Sequence, residues 1–141
     1  MASVFTKIIR GELPGRLLWK DDRAVAFLTI EPLRPGHTLI VPVEEVDHWI
    51  ELEPELAAHL MLVARAVGRA QQRAFDPLRI GMMIVGVEVP HVHLHVTPID
   101  AIRDLDFAKA DRNPDPATMD EAAEKIRAEL RAEGHAEVAD A

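Results

Sequence analysis

Apolar positions along the chain follow two periods. Arg16–Trp19 and Ala24–Leu28 carry short apolar runs on either side of Asp21-Asp22, a turn signal, and predict a β-hairpin. Glu31-Pro32-Leu33-Arg34-Pro35-Gly36 reads as a loop, because two prolines fix φ and the glycine frees it. His37 to Pro42 then alternates, with His37, Leu39 and Val41 on one face and Thr38 and Ile40 on the other, which predicts a strand. After this the period lengthens. Leu56, Leu60, Val63, Val67, Ala70 and Ala74 recur at spacings of three and four, one stripe of a long helix. It should start near Glu53, with Pro54 in its first turn, and stop near Phe75 before Asp76-Pro77.

Arg79 to Val87 is a nearly unbroken apolar run, as expected of a strand buried on both faces or lying at a dimer seam. His91 to Thr97 alternates again and predicts a further strand. Residues 103–117 hold few apolar groups together with Pro114 and Pro116, the pattern of an irregular connection. Thr118 and Glu121 match a capping box, after which Met119, Ala122, Ala123, Ile126 and Leu130 give a second helical stripe that Gly134 ends. The order ββ, β, α, β, β, α predicts an α+β domain with an antiparallel sheet.

Composition narrows the possible functions. A chain of 141 residues, 48% hydrophobic and 28% charged, suits one globular domain. Its 16 Lys+Arg against 24 Asp+Glu leave a net charge of −8, which argues against nucleic acid as a partner. The absence of cysteine removes disulfides, thiolate metal sites and cysteine nucleophiles. Met1 to Gly11 lacks the apolar core of an export signal, and Ile80 to Pro90 is too short to cross a bilayer. A cytoplasmic protein with no membrane partner is expected. Trp19 and Trp49 are expected to be packing groups, His48 to lie on the surface, and His59 to have no special role.

The chemistry concentrates in His91, His93 and His95, which alternate with Val92, Leu94 and Val96. On a strand the three imidazoles share one face and the aliphatics pack behind them, pinning the register. Adjacent members of the row lie roughly 6.5–7 Å apart, enough to flank one phosphoryl group. An exposed strand that merely happens to carry histidine is the plain alternative. Zinc is a second alternative, with His37 as a further ligand. The outer pair of the row is about 13 Å apart, however, so one ion would not easily collect all three. The favoured reading is nucleophilic catalysis, since neutral imidazole can attack phosphorus at physiological pH. A neighbouring imidazole can then serve the leaving group, and no metal or other cofactor is required.

His91-Val92-His93-Leu94-His95-Val96-Thr97 resembles the His-φ-His-φ-His-φ-φ signature of the histidine triad (HIT) family, where φ is apolar. The resemblance extends to the segment Phe5 to Pro14, to Asp21-Asp22, to Ala26-Phe27-Leu28 and to Pro35 to Pro42. It implies a HIT domain over residues 1–103, with 104–141 a C-terminal extension carrying the amphipathic helix. It further implies a five-stranded antiparallel sheet that joins its copy into a larger sheet in a homodimer. The implied activity is hydrolysis or transfer of a nucleoside monophosphate from purine nucleoside phosphoramidates or dinucleoside polyphosphates. A nucleotide-binding regulatory module with little turnover is the other class to weigh. By position in the motif, His93 is the nucleophile, His95 sits by the leaving group, and His91 and His37 support the site. Phe5 and Ile30 fall where relatives contact the base. Thr29 stands where the most similar branch places a ribose-binding Asp, and Glu88 falls near the phosphate, where that branch has a hydroxyl or an amide.

Overall fold

The computed structural model of the chain describes residues 2–140. A short helix α1 (Val4–Ile9) precedes the hairpin β1 (Leu17–Lys20) and β2 (Ala24–Leu28), and β3 (Thr38–Pro42) follows the proline loop. Helix α2 (Pro54–Phe75) has the bounds its sequence period predicts, and β4 (Arg79–Met83), β5 (Leu94–Ile99) and α3 (Pro116–Ala132) complete the chain. The five strands form one antiparallel sheet in the order β1-β2-β3-β5-β4. The fold is α+β.

Period-two alternation divides each inner strand between two cores. Ala24, Ala26, Leu28, Ile40, Leu94 and Val96 face α2 and α3, against Leu56, Leu60, Val63, Val67, Ile126 and Leu130. Val25, Phe27, Leu39 and Val41 face the other way, where Phe5, Ile8 and Ile9 of α1 pack on them together with Leu17 and Val89. One face of the sheet is thus sealed by helices, and the other is left to the histidines. Helix α3 belongs to the first core, through buried Met119, Ala122, Ala123, Ile126 and Leu130.

Four local expectations need correction. The run from Arg79 to Val87 is not one buried strand. The ladder ends at Met83, β4 among the described residues pairs with β5 alone at the sheet edge, and Val87 is 85% exposed. The last histidine strand begins at Leu94 rather than His91, because β3 ends at Pro42, which has no N–H to offer. Val92 N–H turns instead to the carbonyl of Val46 at 2.8 Å. The cap of α3 is Asp115, whose carboxylate accepts from Thr118 N–H at 3.3 Å, so Thr118 lies inside the first turn. Trp49 is no packing group, being 49% exposed on a short 3₁₀ turn.

One glycine is required by geometry. Gly36 has φ +91°, and a Cβ there would meet Phe75 Cε2 at 2.5 Å. The tight turn it permits aims His37 into the sheet.

Candidate functional site

The period-two argument holds for the side chains even where the ladder stops. Val92, Leu94 and Val96 lie in the helix-side core, while His91, His93 and His95 lie on the opposite face with His37 of the neighbouring chain segment. All four imidazoles are buried, from 0% exposed at His91 to 9% at His95. Ring centroids are 4.9 Å apart for His93 and His95, and 5.2 Å for His95 and His37.

Hydrogen bonds fix which nitrogen of each ring carries its proton. Leu33 N–H donates to His37 Nδ1 at 3.0 Å, so the proton of a neutral His37 sits on Nε2. That Nε2–H donates to His95 Nδ1 at 3.0 Å, which leaves the His95 proton on its own Nε2. His93 Nδ1–H donates to the carbonyl of His91 at 2.8 Å, leaving Nε2 an unprotonated lone pair. His91 Nε2–H donates to the Pro42 carbonyl at 2.7 Å, and its Nδ1 meets Ser3 Oγ at 2.6 Å. Two adjacent rings therefore carry opposite characters, an Nε2 lone pair on His93 and a donor Nε2–H on His95.

Burial penalises the imidazolium form of all four rings. It pushes His37 down to about 3 and His95 down to about 4, with the neighbouring imidazoles adding to the effect. His91 and His93 are lowered for the same reason, against hydrogen bonds to carbonyls that favour the charged form. Glu45 and Glu88 act electrostatically in that same opposing sense, on His91 and His93 respectively. Neutral rings are the form the site holds at pH 7.

A polar chain that sequence reasoning missed ties α1 to this row. Ser3 N–H donates to Glu45 Oε1 at 2.6 Å, Thr6 Oγ1–H donates to the same carboxylate oxygen, and Thr6 N–H caps onto Ser3 Oγ at 3.0 Å. These bonds hold Glu45 down at about 2 and clamp Ser3 against His91.

Phe5 lies 4.8 Å from the His93 ring and 5.7 Å from Phe27, measured between centroids. It lines an apolar cavity of about 520 Å³ together with Phe27, Thr29, Ile30, Leu39 and Val89. Ile30 is 74% exposed at its rim. The Thr29 hydroxyl is engaged locally, accepting from Glu31 N–H at 3.3 Å. The volume suits a nucleoside-sized group.

Residues 84–90 leave β4 and cross over the histidine row. Glu88 does not reach the site as part of a continuous strand, since His91 N–H bonds back to Val89 O at 2.8 Å in a tight turn. It nevertheless lines a cleft of about 110 Å³ with His95, Val85, Gly86, Val87 and Phe107. On the other side of the same crossing, a cavity of about 200 Å³ is lined by Asp47, Trp49, Val85, Val87 and His93. Phe107, whose ring is 5.0 Å from that of His95, carried no periodic signal in the irregular 103–117 connection.

Most of the imidazole nitrogens are committed to hydrogen bonds. His37 Nε2 and His95 Nδ1 are spent on each other, and both nitrogens of His91 are engaged by Pro42 and Ser3. Among the described residues no group of three or more His, Cys, Asp or Glu side chains could hold a metal. No helix among them is long and apolar enough to cross a membrane.

Comparison with known proteins agrees with this geometry. An uncharacterized HIT-like protein of Methanocaldococcus jannaschii is 35% identical over 99 residues, which is 67% of this chain and 77% of that one. A zinc-bound histidine triad family protein of Mycobacterium smegmatis superposes with a TM-score of 0.80 at 28% identity, covering 94% of this chain and 95% of that one. A Hit-like protein from Bartonella henselae, involved in cell-cycle regulation, superposes with a TM-score of 0.77 at 27% identity, covering 90% and 95%. The model of the HIT domain matches residues 10–102, a span that contains all four site histidines. With its triad on one sheet face and that match over most of its length, the chain belongs to the HIT family.

Proposed function

We propose that the chain is a cytoplasmic, homodimeric nucleotide hydrolase or nucleotidyl transferase. Its substrates are purine nucleoside phosphoramidates or dinucleoside polyphosphates, cleaved through a covalent nucleotidyl-histidine. The observation that carries this reading is the fixed tautomer of His93, whose Nδ1–H is held by the His91 carbonyl. The His95 ring, which carries the donor Nε2–H, lies 4.9 Å away between centroids.

In the first step that lone pair forms a bond to phosphorus as the bond from phosphorus to the leaving atom breaks. The electron pair goes to the leaving atom, which His95 Nε2–H hydrogen-bonds. A leaving phosphate departs as its anion, and a leaving amine nitrogen takes up one proton from water. In the second step water attacks phosphorus, the electron pair returns to Nε2, and the proton is released. His37 holds His95 in the donor tautomer, and His91 holds His93. Phe5 and Ile30 would flank the base, with Thr29 beside the ribose.

Incubation with adenosine 5′-phosphoramidate tests the reading. AMP should be released, His93→Ala should cut kcat/KM at least roughly 1,000-fold, and turnover should survive EDTA. A His93→Ala variant within tenfold of wild type, or activity that chelation abolishes and zinc alone restores, would overturn it. A nucleotide-binding regulatory module is a second reading, favoured by Glu88 beside the triad and by Thr29 in the nucleoside cavity. It requires AMP binding with no release of amine by the wild-type protein.

A further inference from the structure

The two openings beside the histidine row carry the wrong charge for a polyphosphate. Residues that receive phosphate chains are ordinarily Lys and Arg. The cleft at His95 has Glu88 as its charged residue, and the cavity at His93 has Asp47, with neither lining including a lysine or an arginine. Glu88 is exposed and has no salt bridge among the described residues. Its charge is nonetheless felt at His93. Across the same small cleft lies Phe107, 39% exposed and 5.0 Å from the His95 ring. A free carboxylate and an aromatic ring lining one cleft can together receive a cation, one supplying an ion pair and the other a quadrupole.

We propose that Glu88 and Phe107 form a subsite for a positively charged leaving group. This rests on the hydrolase reading above and narrows its substrate class. The preferred substrates are nucleoside phosphoramidates whose amine carries a second, protonated nitrogen, and dinucleoside polyphosphates are disfavoured because their leaving group is a polyanion. The second nitrogen takes no part in the bond changes. The phosphorus–nitrogen bond breaks at the first nitrogen beside His95 as before, while the ammonium stays protonated against Glu88. The carboxylate that obstructs an anion thereby becomes a selectivity device. Phe107 sits on a 3₁₀ turn (Phe107–Lys109) beyond the span matched by the HIT domain, so the C-terminal extension supplies part of this specificity.

Two AMP phosphoramidates of equal chain length separate the idea from its alternatives, one made with n-butylamine and one with 1,4-diaminobutane. The full chain at low salt should favour the diamine conjugate by roughly tenfold in kcat/KM, which is about 1.4 kcal/mol. That ratio should fall to near one in Glu88→Gln and shrink in wild type as salt rises. Phe107→Leu should reduce it partway, since the ion pair survives without the aromatic face. A wild-type ratio near one, or a ratio that persists in Glu88→Gln, overturns the proposal. Turnover of the butylamine conjugate reports hydrolysis independently of charge selection. Should neither conjugate turn over, the hydrolase reading fails. The same ratio is then read as dissociation constants by displacement of a fluorescent AMP, and equal affinities overturn the subsite too.

Discussion

At the scale of single residues the site is a set of protons placed by the backbone. Carbonyls of His91 and Pro42 and the amide of Leu33 each fix one ring nitrogen, and the neighbouring nitrogens follow. Burial then lowers all four imidazoles, which carries a consequence for pH. Since His93 is lowered, its Nε2 lone pair stays available below the ordinary imidazole value, and the acid limb of kcat/KM should lie below pH 6.5. A limb at or above pH 6.5 would mean that the group controlling the rate is not a buried His93. The histidines were legible in the sequence because three at period two leave a repeating mark. Ser3, Thr6 and Glu45 were not, since each is a lone polar residue. Ser3 meets Glu45 across 42 positions and His91 across 88, and only the fold brings them together. Glu88 was legible as an anomaly, but its strand parity was not, because the turn at His91 breaks the alternation.

At the scale of elements, packing decided what propensity left open. Helix α2 matched its sequence period because Pro54 opens it and Asp76, at φ 47°, ends it in a left-handed turn. The limits of β4 and β5 were not legible, since apolar runs continue past the last ladder bond. One polar side chain inside α2 also had no mark in the sequence. Gln71 is fully buried, and its Nε2 donates to the carbonyls of Gly36 and Val96 at 2.9 Å each. It ties the helix to the turn before His37 and to the strand of His95. Among the described residues its Oε1 has no partner, which costs part of what the two bonds contribute. Gln71→Met keeps the volume, removes that burden and takes one donor from each of two carbonyls. Thr38 Oγ1 still serves Gly36 O at 2.8 Å, so the net loss should be about 1–2 kcal/mol in urea unfolding. Unchanged or increased stability would mean that the unpartnered oxygen outweighs the two bonds.

At the scale of the whole molecule the sheet has one conspicuous open side. Its strand order was not readable from the sequence, since alternation places residues on faces but does not say which strands are neighbours. The order puts β4 at an edge, with its outer N–H and C=O groups unpaired among the described residues. Around that edge Leu78 is 73% exposed, Met82 41% and Met61 53%. A groove of about 470 Å³ runs between β4 and α2 beside them. A long apolar edge left bare is a route to aggregation, and a two-fold pairing of β4 with β4 would close it. Such a pairing would also account for Arg79 to Val87 reading as a buried strand although one chain leaves it at the surface. The net charge of −8 on each copy opposes association, so salt should strengthen the dimer. Light scattering at micromolar concentration should give twice 15.7 kDa for the wild type. Met82→Lys, which places a charge at the seam and touches neither the histidines nor their cavities, should shift the mass toward one chain. A wild-type monomer under those conditions would remove the dimer, and an unshifted Met82→Lys dimer would move the interface away from β4.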